Sequence, residues 1–279
     1  MQQLTKKLII FTDMDGTLLD HDTYSYSKAK PALNLIKKHN IPLILCTSKN
    51  RAEILEFQKE LRIKEPFIVE NGGAIFIPKD YFNFELFNAL PKTLKPVKKS
   101  GYYVIELGTP YKTLRNFILE LKKQGFKIKG FGDMSAKEVS LDTGLPLHKA
   151  KLAKKREYDE AFIFTPVESY DEKKLKKLVL KQGLRLTKGG RYYHLMGKSN
   201  KGKAVKILTK LYKKQFNHVI TMALGDSVND FEMLDNVDIP YLVMKKNRRY
   251  SSSLYKRAGD IGPKGWCKAV KHEVSRLKI

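Results

Sequence analysis

Cysteine is nearly missing from this chain, with two in 279 residues. Two cannot build a disulfide framework, and Cys46, which closes the apolar run Ile41–Cys46, reads as part of a buried strand. A reducing, cytoplasmic setting is the expectation. Long apolar runs are missing too: Leu8–Phe11 and Leu43–Cys46 fall far short of the about 20 residues a membrane helix needs. Lys6 and Lys7 imitate the start of a secretion signal, but Asp13 and Asp15 interrupt the run that follows too soon. There is no internal repeat, no low-complexity tract, no zinc-finger spacing and no aromatic RNA-binding signature. Acidic residues are scarce relative to basic ones, 29 against 54, which leaves a net charge of +25. What the chain does have is 42 % hydrophobic and 10 % aromatic residues, enough to bury a sizeable core, so disorder is excluded.

The charge is uneven. Residues 1–81 carry a net +2, residues 82–196 a net +12 and residues 197–279 a net +11. Such a field attracts anions, whether nucleic acid, acidic surfaces or small phosphorylated substrates. Lysines set between leucines, as in Glu172–Lys181, equally describe a solvated helix face. The lysine excess also suits a thermophile.

The pattern of elements divides the chain in the same way. Leu8–Phe11 is an apolar strand ending in Thr12-Asp13-Met14-Asp15-Gly16. A helix follows Ser27, with Pro31 in its first turn; Ile41–Cys46 is a second strand, Arg51–Leu61 a second helix, and Asn71-Gly72-Gly73 joins two more strands as a hairpin. After the aperiodic stretch 78–96 the reading changes to α+β, with strands at Tyr102–Leu107, Phe126–Lys129, Ala161–Thr165 and Tyr192–Met196 and helices at Tyr111–Lys123 and Asp171–Gln182. The α/β alternation resumes with a helix at Lys201–Phe216, a strand at Val219–Leu224, a short helix after Asp230, a strand at Tyr241–Met244 and a closing helix at Lys264–Leu277. The expected fold is α/β: a Rossmann-like parallel sheet core made of residues 1–81 and 197–279, interrupted by an inserted α+β cap at 82–196. The crossings near 78–91 and 197–200 are expected hinges.

Two loops carry the chemistry. Asp13-Met14-Asp15-Gly16-Thr17-Leu18 and Gly225-Asp226-Ser227-Val228-Asn229-Asp230 each follow an apolar strand, at the end where ligands bind in open α/β sheets. Together they bring up to four carboxylates to one place, where mutual repulsion calls for a cation. All-oxygen ligation points to Mg²⁺.

These motifs resemble those of the haloacid dehalogenase-like superfamily of phosphotransferases. Asp13-x-Asp15-Gly16-Thr17-Leu18 is similar to its first motif, Thr47 at a strand end to its second, Lys201-Gly202-x-Ala204 to its third and Gly225-Asp226-x-x-Asn229-Asp230 to its fourth. The resemblance implies a phosphatase in which Asp13 is the nucleophile, forming an aspartyl-phosphate, and Asp15 the general acid and base. It implies further that Thr47 and Lys201 hold phosphoryl oxygens. Mg²⁺ would rest on Asp13, the Asp15 carbonyl and Asp226, supported by Asn229 and Asp230.

Further stretches resemble one family within it, the mannosyl-3-phosphoglycerate phosphatases. They are Thr47-Ser48-Lys49-Asn50-Arg51-Ala52-Glu53, Glu70-Asn71-Gly72-Gly73, Phe131-Gly132-Asp133-Met134-Ser135, Arg156-Glu157-Tyr158-Asp159-Glu160, Gly189-Gly190-Arg191-Tyr192-Tyr193-His194-Leu195, Asn200–Val205 and Gly262-Pro263-x-Gly265-Trp266. Asn50 stands where that family is expected to have Thr. This resemblance implies hydrolysis of 2-O-mannosyl-3-phosphoglycerate to mannosylglycerate, a compatible solute used mainly by heat-loving organisms.

Candidates for substrate contact are Ser48 and Arg51, Gly189, Gly190 and Arg191 for a carboxylate, and Asp133 and Ser135 for sugar hydroxyls. Gly189-Gly190-Arg191 reads equally as a tight turn with a solvated arginine, and Ser135 equally as a helix N-cap. His194 reads as a satisfied histidine, since the Asp pair already supplies acid and base. The expected partner is a small phosphorylated glycoside, with neither nucleic acid nor membrane. Competing readings are a glucosyl-3-phosphoglycerate, sucrose phosphate or other sugar phosphatase, a phosphomannomutase-like transferase and, from a different class, a basic nucleic-acid-binding protein.

Overall fold

Leu8–Phe11 is apolar at every position because it is buried on both faces. In the computed structural model, which describes residues 6–165, 171–188 and 191–279, Leu8 and Ile10 pack with Trp266 and Val270 on one side, and Ile9 and Phe11 with Leu208 and Tyr212 on the other. The strands, in chain order, are β1 (Lys7–Thr12), β2 (Leu43–Leu45), β3 (Phe67–Val69), β4 (Ala74–Pro78), β5 (Val97–Lys99), β6 (Tyr102–Glu106), β7 (Ile128–Gly130), β8 (Asp159–Phe164), β9 (Arg185–Lys188), β10 (Tyr193–Met196), β11 (Val219–Gly225), β12 (Ile239–Met244) and β13 (Lys256–Ile261).

The core sheet has the order β13-β12-β11-β1-β2 and is parallel throughout. The chain runs from β1 to β2 on one side and returns as β11 on the other, so the strand order switches beside β1. The β1–β11 register pairs Thr12 with Leu224, and the Asp13 N–H donates to the Leu224 carbonyl at 2.9 Å. The two acidic loops therefore leave adjacent strands at the same level. Helices Lys30–Lys38 and Gly262–Leu277 cover one face, and Lys201–Gln215 covers the other. This is the expected α/β architecture.

The second sheet, β7-β8-β10-β9, is antiparallel. Phe162, Phe164 and Leu195 on one face pack against helices Tyr111–Lys123 and Glu172–Lys181 through Leu114, Phe117, Leu175 and Val179. Ala161 on the other face meets the short helices Ala136–Thr143 and Leu147–Ala153.

A third sheet, β3-β4-β6-β5, is also antiparallel, and a parallel bridge between Cys46 and Ile68 joins it to β2. It draws strands from both sides of residue 82, and Phe82, Leu86, Val104 and Ile105 pack into the core's hydrophobic clusters. The chain leaves this sheet at Gly108-Thr109 and re-enters the core at Gly197, where a Cβ would fall 2.5 Å from Thr109 Oγ1. We propose that the insert runs from about residue 109 to 197. The expected start at 82 lies inside the aperiodic stretch 78–96 and coincides with no break in packing, since Phe82 and Leu86 belong to the core. Among the described residues no helix is long and apolar enough to cross a membrane.

Candidate active site

Asp13 sits one residue past β1, almost completely buried. Gly16 turns the loop in the left-handed region, at φ +75°, and a Cβ there would fall 3.2 Å from Asp226 Oδ2, so the glycine keeps open the space between the two acidic loops. Lys201, the first residue of its helix and fully buried, donates from Nζ to Asp13 Oδ1 at 2.7 Å and to Asp230 Oδ1 at 2.6 Å. Burial alone would lower the lysine's pKa, but the Asp13 and Asp230 carboxylates outweigh it and raise it. Burial raises the Asp13 pKa well above the ordinary carboxylate range, with Lys201 opposing and Asp230 and Asp226 adding to the rise. Asp226 is pushed up to about 6, first by burial and then by Asp230.

The second loop is tied by Asp230. Its Oδ2 accepts the Asp226 and Ser227 N–H groups at 3.0 and 3.1 Å, while Oδ1 holds Lys201. Both Asp230 oxygens are thus in use, and its part is to fix Lys201 and the loop backbone. Asn229 is likewise engaged: its Oδ1 accepts from Ser227 Oγ at 2.9 Å and its Nδ2 donates to Asn71 Oδ1 at 3.3 Å. Asp13 Oδ2 and Asp226 Oδ2 have no hydrogen-bond donor among the described residues.

Asp13, Asp226 and Asp230 offer carboxylate oxygens within 4.8 Å of one another, a group able to hold a metal ion. The donor set is oxygen only and two carboxylate oxygens are free, which fits a hard divalent cation such as Mg²⁺. Of the residues expected to hold the ion, Asp13, Asp226 and Asp230 form this group and Asn229 stands beside it through Ser227; we propose that Asp230 supports the other two, while the Asp15 carbonyl stays an expectation.

Asp15 lies two residues on. Lys49 Nζ stands 2.9 Å from its Oδ2, while its Oδ1 is buried with no partner. A buried carboxylate oxygen left without a donor points to a group supplied from outside the chain. Thr47 is buried after β2 and its hydroxyl accepts the Lys49 N–H at 3.3 Å. Asp13, Asp15, Gly16, Ser48, Asp226 and Asn229 line a cleft of about 810 Å³, to which the cap contributes Lys188 and His194.

Not every expected residue reaches this cleft. Arg191 is exposed and its guanidinium bonds to the Asp142 carbonyl and carboxylate. Asp133 is bound by Arg115, Lys122 and the Gly130 N–H inside the cap. Ser135 caps helix Ala136–Thr143, with Glu138 completing a capping box. Asp133, Ser135 and Arg191 do not line the cleft, and neither do Thr47, Arg51, Lys201 and Asp230 of the core. Arg51 donates from Nε to Glu157 Oε1 at 3.0 Å, an ion pair from core helix to cap. Gly189 and Gly190 lie outside the described residues.

A buried network ties cap to core beside the cleft. The Glu70 carboxylate accepts the Glu157 and Tyr158 N–H groups at 2.9 and 2.8 Å, and Arg156 Nε is 3.8 Å from it. Arg156 also donates to the Ser48 carbonyl at 3.1 Å and pairs with Asp159 at 3.1 Å. Asn50 uses both ends of its amide: Oδ1 caps helix Arg51–Leu61, and Nδ2 donates to the Leu152 and Ala153 carbonyls of the cap at 2.8 and 3.0 Å. No motif arithmetic singles out Glu70, Arg156 or Asp159; only the resemblance of their stretches to a known family drew attention to them.

Comparison with known proteins identifies the family of the chain. Residues 10–252 match the family model of haloacid dehalogenase-like hydrolases. The chain is similar to a glucosyl-3-phosphoglycerate/mannosyl-3-phosphoglycerate phosphatase of Methanococcoides burtonii, 54 % identical with 95 % of this chain and 96 % of the relative covered. It is similar to a mannosyl-3-phosphoglycerate phosphatase of Pyrococcus furiosus, 37 % identical with 84 % and 90 % covered. Among solved structures it shares the fold of a haloalkanoate-superfamily phosphatase of Bacteroides thetaiotaomicron, with a TM-score of 0.65 at 15 % identity over 98 % of this chain and 96 % of the other.

Proposed function

The chain belongs to the haloacid dehalogenase-like hydrolases and is a phosphatase of that family, and from that premise we propose that it hydrolyses mannosyl-3-phosphoglycerate, and glucosyl-3-phosphoglycerate beside it, through an aspartyl-phosphate on Asp13. The observation that carries the chemistry is the Asp13–Lys201 pair of 2.7 Å, which leaves Asp13 Oδ2 free at the floor of the cleft. The 54 % identical relative, aligned over 95 % of this chain and 96 % of its own and named for both glycosides, supports the substrate class.

Asp13 Oδ2 attacks phosphorus as the bond to the glycerate oxygen breaks, and that oxygen takes the electron pair and a proton from Asp15. Asp15, now ionised, accepts a proton from water as that water attacks the phosphorus. The O–P bond to Asp13 breaks, releasing phosphate and restoring both aspartates. Lys201 lies behind Asp13, where its charge offsets repulsion between the anionic nucleophile and an anionic ester. Mg²⁺ held at Asp226, beside the Asp13 carboxylate, would supply further charge neutralisation. Lys49 holds one oxygen of Asp15 and leaves the other to the reacting group.

The test is release of inorganic phosphate from mannosyl- and glucosyl-3-phosphoglycerate, sucrose phosphate and a sugar bisphosphate, with and without chelator. Hydrolysis of the first two in preference to the others, lost in chelator and restored by Mg²⁺, is expected. Efficient use of sucrose phosphate alone would overturn the substrate. Transfer between sugar bisphosphate positions without phosphate release would point to a mutase.

A further inference from the structure

The cap brings only basic groups to the described lining of the cleft, Lys188 and His194, whereas every acidic group there comes from the core. His194 lies opposite Ala161 in the β8–β10 register, and its neighbours Tyr193 and Leu195 face the hydrophobic side of the cap sheet. Its ring is thereby turned to the other face, part of which the two short helices cover and part of which forms the cleft wall.

The ring is also held. Both oxygens of the fully buried Asp159 stand 3.0 Å from His194 Nδ1. Asp159 is steadied by Arg156 at 3.1 Å and by Asn71 Nδ2 at 3.3 Å, and Asn71 in turn accepts from Asn229 of the acidic loop. Burial works against the Asp159 charge, but His194 and Arg156 outweigh it and keep that carboxyl below its ordinary value. An ionised aspartate on one ring nitrogen fixes the orientation and leaves Nε2, which has no partner among the described residues, available to the cleft.

We propose that His194, positioned by Asp159, is the cap residue that reads the substrate's carboxylate, donating from Nε2 to the glycerate end of the molecule while Asp13 engages its phosphate. The proposal rests on the substrate reading above and deepens it. Nδ1 faces the Asp159 carboxylate and Nε2 faces the cleft, so the ring offers one N–H to each anion when both nitrogens carry hydrogen. Lys188, its ammonium 5.0 Å from the centre of the Tyr193 ring, adds positive charge to the same wall.

The experiment reads competition against hydrolysis of an aryl phosphate by two small phosphates that differ in one group, 3-phosphoglycerate and glycerol 3-phosphate. The quantity is the ratio of their inhibition constants in wild type, His194→Ala, His194→Gln and His194→Asn. Wild type is expected to favour 3-phosphoglycerate. His194→Ala should lower that preference by roughly 10- to 100-fold, the worth of a hydrogen bond to a charged group. Gln, whose amide reaches the position of Nε2, should keep much of the preference; Asn, whose amide reaches only that of Nδ1, should behave as Ala does. An unchanged ratio in His194→Ala, or no preference in wild type, overturns the proposal. So does a wild-type ratio in His194→Asn, which would mean that the residue serves only to satisfy Asp159. Failure of wild type to hydrolyse either glycosyl-3-phosphoglycerate would defeat the substrate reading instead, and the ratio, read on an aryl ester, would still decide the role of His194.

Discussion

Trp266 donates its indole N–H to the Thr12 hydroxyl across 2.9 Å, both residues being buried. Thr12 Oγ1 donates in turn to the Asp13 carbonyl at 2.7 Å, so the closing helix grips the backbone that carries the nucleophile. Trp266→Phe leaves that hydroxyl without its donor in a dry site, at a cost of roughly 1–3 kcal/mol. Denaturant unfolding should show a lower midpoint with an unaltered slope; an unchanged midpoint would mean that the bond contributes nothing net.

Asp13→Asn keeps the shape of the side chain, and Lys201 keeps Asp230 at 2.6 Å. The protein should fold, as judged by circular dichroism. Phosphate release should fall by roughly a thousandfold or more, because an amide is a poor nucleophile. Substantial release would remove Asp13 from the mechanism.

Asp15→Ala separates the two steps of the chemistry. The glycerate alkoxide needs its proton, so turnover on the glycosyl-3-phosphoglycerate should drop by roughly 10²- to 10⁴-fold. An aryl ester, whose leaving group is stable without one, should lose much less. Equal losses on both would show that Asp15 acts through the loop and not as an acid.

Glu70 sets a pH dependence of stability. Its carboxyl is pushed from 4.5 to about 8 by burial, with Arg156 opposing and Asp159 adding to the rise. The folded protein therefore holds a proton that the unfolded chain gives up, and the contribution of this group is fullest below 4.5 and declines as pH rises towards about 8. Glu70→Gln cannot ionise, so its unfolding free energy should fall less steeply between pH 5 and 8 than that of wild type. Parallel profiles would rule Glu70 out as the source.

Asn50→Thr and Asn50→Ala divide the work of one side chain. Threonine can still accept the Glu53 N–H but cannot reach the Leu152 and Ala153 carbonyls, so roughly 1–3 kcal/mol of stability should go with those two bonds. Alanine should lose a further ~1 kcal/mol as the helix cap disappears. Equal losses in the two variants would mean that the cap contributes nothing.

The elements that were hardest to see in the sequence share a cause. β5, β9 and β13 each lie at the edge of a sheet. Edge strands are half solvated and rich in charge, so Val97–Lys99, Arg185–Lys188 and Lys256–Ile261 show no apolar run to recognise. Central strands such as β1 and β11, and helices such as Arg51–Leu61 and Tyr111–Lys123, announced themselves because burial fixes their pattern. The same division runs through the site. Asp13, Asp15, Lys201 and Asp226 follow buried strands or open a helix and keep a readable spacing. Glu70, Arg156, Asp159 and His194 meet only in the folded chain, across separations such as the 87 residues between Glu70 and Glu157, and nothing local marks such a meeting. Arg191 illustrates the converse: a glycine-flanked arginine looks poised for an anion, yet Asp142 occupies it.

Because Thr109 and Gly197 touch, the inserted unit begins and ends at one point on the core. An insertion with adjoining ends does not require the scaffold's own chain ends to move apart. With the insert bounded as proposed, it could be lengthened, exchanged or redesigned as a cassette, provided the newcomer offers partners to Asn50, Glu70 and the Ser48 carbonyl at the seam.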